Sequence, residues 1–76
     1  MALMVHVLFI DDDPKAQATV AMILADRYAV LPAGSAAEGL RLVGEQEPDV
    51  VLLDIDLPDR DGLSVLEEIL AGPCPP

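Results

Sequence analysis

The chain has 76 residues, 14 of them acidic and four basic, and a formal net charge of −10 at pH 7. This length predicts one domain, and the acidic balance argues against binding of nucleic acids or anionic membranes, which need Lys and Arg at phosphates. A mean hydropathy of +0.43 is too apolar for a disordered chain, and no apolar run is long enough to span a membrane. The single cysteine, Cys74, excludes a disulfide framework and favours a cytoplasmic location.

The first predicted unit is a strand over residues 4–10 followed by a helix over residues 14–27. The strand is apolar and rich in β-branched residues, which is typical of a strand buried on both faces in a parallel sheet. Three aspartates follow it. Asp13 is suited to cap the helix, and Pro14 is suited to its first position.

The second predicted unit is a short strand over residues 28–31 and a helix over residues 36–47. Pro32 and Gly34 follow the strand. Ser35 and Glu38 have the spacing of a capping box, in which the serine caps the helix and the glutamate reaches back.

The third predicted unit is a strand over residues 50–54, a loop, and a helix over residues 62–71 that ends before Gly72 and Pro73. We expect residues 72–76 to form a frayed tail. Strands that alternate with helices in this way predict an α/β domain with a parallel sheet and right-handed crossovers.

Carboxylates stand at the ends of two predicted strands. Asp11 and Asp12 follow the first strand, and Asp54 ends the third. Ligands of open α/β sheets bind at the carboxyl ends of strands, so these groups converge if the two strands are neighbours. Clustered carboxylates suit Mg²⁺ and phosphoryl transfer, with one aspartate available as nucleophile. The alternative, that these aspartates only cap helices, explains Asp13 better than it explains the other three.

Three segments together resemble the receiver domain of two-component response regulators. They are residues 7–14 (VLFIDDDP), residues 48–58 (PDVVLLDIDLP) and the pair Asp61-Gly62. The resemblance covers residues 4–71, nearly the whole chain. It implies a flavodoxin-like, doubly wound parallel sheet, here with strand order 2-1-3.

The resemblance also implies a role for each matching residue. Asp54 is the phosphoacceptor, which receives a phosphoryl group from a sensor histidine kinase or a phosphotransfer protein. Asp11, Asp12, Asp54 and the backbone carbonyl of Asp56 bind Mg²⁺, and Pro58 and Gly62 shape the loop. The family is a signalling domain rather than an enzyme, and its chemistry is limited to its own phosphorylation and dephosphorylation.

The chain departs from the family in length, because a receiver has five βα units and three are present here. The missing units carry a Ser/Thr that contacts the phosphoryl group and a Lys that neutralises it. Lys15 does not replace that Lys, because its place in the first helical turn favours a solvated side chain. We therefore expect phosphoryl transfer to be compromised in this truncated receiver.

The missing units would also leave the third strand at the edge of the sheet. Because an apolar strand edge invites pairing with another chain, we expect a homodimer through this edge or through a swapped element. Two other functions stay open. The Asp54-Ile55-Asp56 sequence also resembles the nucleophile motif of haloacid-dehalogenase-type phosphatases, and a receiver-like domain could serve as a dimerisation module that is never phosphorylated.

Overall fold

The structure, a computed structural model, describes residues 4–71. In this part of the chain, no helix has the length and apolarity that crossing a membrane requires. Strands and helices alternate throughout, as the sequence predicts. The elements are β1 (Val5–Ile10), α1 (Pro14–Leu24), β2 (Tyr28–Ala33), α2 (Ala36–Gln46), β3 (Val50–Leu53) and α3 (Gly62–Ala71).

The three strands form one sheet in the order β2-β1-β3, and both pairings are parallel. In the register, Val5 lies opposite Tyr28, and Val7 lies opposite Val50. The predicted fold class, an α/β domain with strand order 2-1-3, is confirmed. Because β1 is central, the carboxyl ends of β1 and β3 lie side by side.

The core lies around the central strand. Leu8 and Ile10 of β1 and Ala33 of β2 are fully buried in one cluster. Val7 is also buried and Phe9 is half-buried, so β1 is covered along most of its length rather than on alternate residues. This continuous burial is the pattern of a strand inside a parallel sheet.

Helix α2 packs closely on β1 at Gly39. A Cβ atom built on Gly39 would contact Cδ1 of Ile10 and lie 2.8 Å from its Cγ1. Ile10 is fully buried, so its side chain cannot turn out into solvent to make room. The absence of a side chain at Gly39 therefore allows α2 to approach the strand that ends at Asp11.

Two predicted helix caps are present. The Asp13 carboxylate accepts the Lys15 N–H and caps α1, which begins at Pro14. The Ser35 hydroxyl accepts the Glu38 N–H at the start of α2. Glu38 does reach back, but its carboxylate accepts the Gly34 N–H, one residue before the cap.

The first helix and second strand differ from their predicted bounds. Helix α1 ends at Leu24 rather than at residue 27, because residues 25–27 form a turn in which the Arg27 N–H donates to the Leu24 carbonyl. Strand β2 runs on to Ala33 rather than ending at residue 31. Pro32 is tolerated because β2 has a neighbour on one side only among the described strands.

Three other bounds shift by one residue. Strand β1 begins at Val5 rather than at residue 4, and β3 ends at Leu53, so Asp54 follows it. Helix α2 ends at Gln46 because Glu47 has left-handed backbone geometry (φ 48°) and donates its N–H to the Val43 carbonyl. The bounds of α3 are as predicted, and the predicted tail over residues 72–76 lies outside the described residues.

We expect Gly39→Ala to lower the free energy of unfolding by about 1–3 kcal/mol, because overpacking a filled core forces side chains or backbone to move. Gly44→Ala is the matched control in the same helix, since a Cβ there meets nothing within 4 Å. It should leave stability unchanged or raise it by about 0.5–1 kcal/mol, because alanine favours helix. Urea denaturation followed by circular dichroism measures both, and equal effects of the two substitutions would contradict the close packing of α2.

Candidate functional site

Three of the predicted site residues lie together at the carboxyl end of the sheet. Asp11 and Asp12 follow β1, Asp54 follows β3, and each places a carboxylate oxygen within 4.8 Å of the other two. Asp11 and Asp54 are half-buried, whereas Asp12 is exposed. The cluster arises because adjacent parallel strands end at the same edge.

The backbone at Asp11 is fixed by contacts with the neighbouring strand. Its N–H donates to the Ala33 carbonyl (3.0 Å), and its carboxylate accepts the Asp13 N–H (2.9 Å). The Nε2 atom of Gln17 in α1 lies 2.9–3.1 Å from three carbonyl oxygens at the strand ends, those of Phe9, Asp11 and Ala33, which share its two hydrogens. Gln17 therefore ties α1 to the ends of β1 and β2, a role that the sequence did not reveal.

The backbone at Asp54 is fixed in a similar way. Its N–H donates to the Ile10 carbonyl at 2.9 Å, which continues the pairing of β3 with β1. Helix α3 begins directly against it, since the Gly62 N–H donates to the Ile55 carbonyl at 2.8 Å. A Cβ on Gly62 would lie 2.6 Å from the Asp54 carbonyl oxygen, so a larger residue would displace either the helix or the Asp54 backbone.

Asp56, the fourth predicted site residue, is placed differently. Its carboxylate is exposed and does not belong to the cluster, and its N–H donates to a carboxylate oxygen of Asp54 at 3.3 Å. Asp56 also forms an antiparallel bridge with Asp61, which closes the loop over residues 57–60. The sequence predicts that Asp56 binds Mg²⁺ through its backbone carbonyl, and this role does not require its carboxylate to join the cluster.

No ion pair among residues 4–71 balances the charges of the cluster. The ion pairs found among residues 4–71 join Arg41 to Glu45 and Arg60 to Glu68, and His6 lies 3.9 Å from Asp49. None of these reaches the clustered carboxylates. Carboxylates this close repel each other unless a cation lies among them, and oxygen ligands of this kind suit a hard divalent ion. The donor set therefore fits Mg²⁺.

The cluster is accessible from solvent. Asp11 and Asp12 line an open hollow of about 440 Å³ together with Gly34 and Glu38, and Asp54 is not among its lining residues. A hydrated ion can therefore reach the two carboxylates at the end of β1 through this hollow.

Asp59, in the loop after β3, makes a contact that sequence reasoning missed. One carboxylate oxygen accepts the Ala36 N–H at 2.9 Å, and the other accepts the Ala37 N–H at 3.0 Å. These hydrogen bonds hold the pKa of Asp59 below its ordinary value, because they favour the charged form of the carboxylate. The bond from the Ala36 N–H has the largest effect, followed by the bond from the Ala37 N–H. An aspartate after a proline indicates only a turn, so no local signal could have identified a partner in α2.

Doubly wound sheets bind their ligands outside the carboxyl ends of the strands, where this cluster lies, and carboxylates of this kind suit a divalent cation that also contacts phosphate. The family model described as "Response regulator receiver domain" matches residues 7–75. The chain belongs to this family, whose general function is to accept a phosphoryl group. The resemblance seen in the sequence is thereby confirmed.

Two proteins similar in sequence to this chain are a transcriptional regulatory protein and a sensor histidine kinase. The chain is 44% identical over 64 residues to the transcriptional regulatory protein KdpE of Mycobacterium tuberculosis, covering 83% of this chain and 28% of that protein. It is 42% identical over 65 residues to the sensor histidine kinase AtsR of Burkholderia thailandensis, covering 84% of this chain and 11% of that protein. The chain thus spans less than a third of the length of these relatives.

A solved structure shows the same fold. The CheY-like response regulator receiver domain protein of Methanospirillum hungatei superposes with a TM-score of 0.84 at 33% identity. The match covers 87% of this chain and 54% of that one. The chain therefore spans about half of that receiver domain.

The lowered pKa of Asp59 predicts a pH dependence. A carboxylate whose pKa falls on folding stabilises the native state above its unfolded pKa, and this contribution is lost as the pH falls through the folded value. We expect Asp59→Asn to be less stable than the parent chain at neutral pH, with the difference shrinking below about pH 4. Denaturant titrations of both chains over this pH range measure it. A difference that stays constant down to pH 2 would contradict the assignment.

Proposed function

We propose that this chain accepts a phosphoryl group on Asp54, with Mg²⁺, from a sensor histidine kinase or a phosphotransfer protein. The observation that carries the proposal is the group of three carboxylates within 4.8 Å of one another, with no basic side chain paired to it in the described part of the chain. The family match supports phosphoryl transfer as the chemistry of such a cluster.

We assign the Mg²⁺ ligands to Asp11, Asp12, Asp54 and the Asp56 carbonyl. When bound, Mg²⁺ supplies positive charge to the phosphoryl oxygens and brings them close to the carboxylates. The exposed Asp12 and half-buried Asp11 contribute oxygens from the end of β1, and Asp54 contributes from the end of β3. Gly62 packs closely on the Asp54 backbone, since a Cβ there would lie 2.6 Å from the Asp54 carbonyl oxygen.

In the transfer step, a carboxylate oxygen of Asp54 attacks the phosphorus of a phosphohistidine on the partner. The new O–P bond forms as the N–P bond breaks, the bonding electron pair returns to the histidine nitrogen, and an acyl phosphate results. Such transfers depend mainly on positioning and on stabilisation of charge at the phosphoryl oxygens. The sheet contacts that fix Asp54 supply the positioning.

We expect residues 4–71 by themselves to accept a phosphoryl group less efficiently than a five-stranded receiver. The resemblance places a Ser/Thr and a Lys on the fourth and fifth strands of a receiver, and residues 4–71 form three strands. Lys15 is exposed in the first turn of α1, where the backbone N–H of this residue is bound to Asp13. Within the described residues, no basic side chain is paired with the aspartate cluster, so Mg²⁺ would offset its charge there.

We expect Mg²⁺-dependent labelling of the chain by a small phosphodonor such as acetyl phosphate, and its loss in Asp54→Asn. The amide is nearly isosteric but lacks the nucleophilic carboxylate oxygen. Asp26→Asn is the charge-matched control, because Asp26 lies in the turn between α1 and β2 at the opposite end of the sheet. Intact-protein mass spectrometry detects the added phosphoryl group, and labelling that survives in Asp54→Asn would overturn the assignment of the acceptor.

The labelling experiment tests one alternative, and steady-state turnover of a phosphate monoester tests the other. A dimerisation module that is never phosphorylated shows no labelling under any of these conditions. A haloacid-dehalogenase-type phosphatase also forms a phospho-aspartate, but it turns over a phosphate monoester continuously. The receiver assignment is favoured over the phosphatase because Asp54 follows the third strand and Asp11 and Asp12 follow the first.

We also propose that the chain forms a homodimer through β3 or through a swapped element. Among the described strands, β3 pairs only with β1, so its other edge has no partner there. Val50 and Leu52 of β3 are 44% and 38% exposed, and Leu63, Leu66 and Leu70 of α3 are also exposed. Uncharged strand edges of this kind favour pairing with another chain.

A cytoplasmic location and the lack of nucleic-acid or membrane partners remain predictions from the composition.

We expect Val50→Lys to shift the chain from dimer toward monomer, because a lysine on a strand edge opposes pairing of edges. Met22→Lys, on the exposed surface of α1, introduces the same charge and should leave the dimer intact. Light scattering at micromolar concentration gives the masses. A parent chain that is folded and strictly monomeric would contradict the proposed dimer.

A further inference from the structure

The loop between β3 and α3 is held by side chains at several points. The Asp56–Asp61 bridge closes its base. Toward α3, the Arg60 guanidinium donates to the Ser64 hydroxyl and carbonyl and to Glu68. Toward α2, the hydrogen bonds found among the described residues are the two that Asp59 accepts.

Both carboxylate oxygens of Asp59 accept hydrogen bonds from the N-terminus of one helix, α2. The Ala36 and Ala37 N–H groups belong to the first turn of α2, where backbone N–H groups have no partner within the helix. Charged acceptors make the stronger hydrogen bonds, and a carboxylate is favoured at a helix N-terminus by the helix dipole. The contact joins segments more than 20 residues apart in the chain.

Helix α2 is itself fixed relative to β1. Gly39 packs directly on Ile10, the last residue of the strand that leads into Asp11 and Asp12. The contact of Asp59 therefore joins the loop after Asp54 to the same framework that carries the other two carboxylates. A loop fastened at its base and its tip has little freedom to move the Asp56 carbonyl.

We propose that Asp59 is a positioning residue that fastens the loop after Asp54 to the N-terminus of α2 and so holds the Asp56 carbonyl in place for cation binding. This inference rests on the proposed function, because it takes the Asp56 carbonyl as a Mg²⁺ ligand. Asp59 itself does not join the carboxylate cluster. Its effect on the cation is transmitted through the backbone of residues 56–59.

The experiment measures Mg²⁺ dissociation constants by NMR titration for the parent chain and for Asp59→Ala, Asp59→Asn and Asp26→Ala. We expect Asp59→Ala to raise the dissociation constant roughly tenfold, the lower end of the range for residues that orient metal ligands. Asp59→Asn keeps one acceptor oxygen and should give an intermediate value. Asp26→Ala removes the same charge at the other end of the sheet and should leave the constant unchanged.

Two further readouts separate positioning from simple loss of charge or of fold. Amide hydrogen exchange at Ala36 and Ala37, measured without Mg²⁺, should accelerate in Asp59→Ala and less in Asp59→Asn. The ratio of dissociation constants between Asp59→Ala and the parent should persist at high KCl, because salt screens a long-range charge effect but not a displaced ligand. Circular dichroism verifies that each variant is folded, and Asp59→Asn carries the test if the alanine variant is not.

The outcomes distinguish this inference from the function on which it rests. A parent chain that binds no Mg²⁺ overturns both. A parent that binds Mg²⁺, with a folded Asp59→Ala or Asp59→Asn of equal affinity, overturns the positioning role alone. A ratio that disappears at high salt also overturns it, since the effect is then one of charge.

Discussion

The position of each clustered carboxylate depends on the parallel pairing of β1 with a strand on either side. Pairing of β1 with β3 brings Asp54 level with Asp11 and Asp12. The last hydrogen bond between these two segments runs from the Asp54 N–H to the Ile10 carbonyl. Pairing with β2 continues through the Asp11 N–H to the Ala33 carbonyl. The sheet therefore fixes the backbone of Asp11 and Asp54 directly, before any side chain contributes.

The N-terminal ends of α2 and α3 make further contacts with the segment that carries Asp54. Helix α3 starts against the Asp54–Ile55 backbone because Gly62 has no side chain, and α2 presents the N–H groups of its first turn to Asp59. Negative groups lie at the starts of helices, where the dipole favours them. In this small acidic chain, carboxylates thus serve two purposes, since some stabilise helix ends and others are left uncompensated at the site.

The sequence predicted those parts of the structure that local patterns determine. Apolar runs located all three strands, two of which are followed by aspartate, and the carboxylate cluster followed once the family resemblance implied the strand order. The contacts of Gln17 and Asp59 could not be predicted, because their partners are far away in sequence and the residues look like ordinary helix and turn residues. Strand β2 extended past its predicted end because pairing with β1 outweighed the local signal of Pro32.

The two pairings of β1 differ in the length of chain that each must close. Val5 meets Tyr28, whereas Val7 meets Val50, and the entropy lost on closing a loop grows with its length. A chain in which β3 has detached still holds Asp11 and Asp12 together but has lost Asp54. An ion that needs all three carboxylates binds only the fully paired sheet, so by mass action it stabilises the docking of β3. Cation affinity at this edge therefore also reports on how completely the domain has folded.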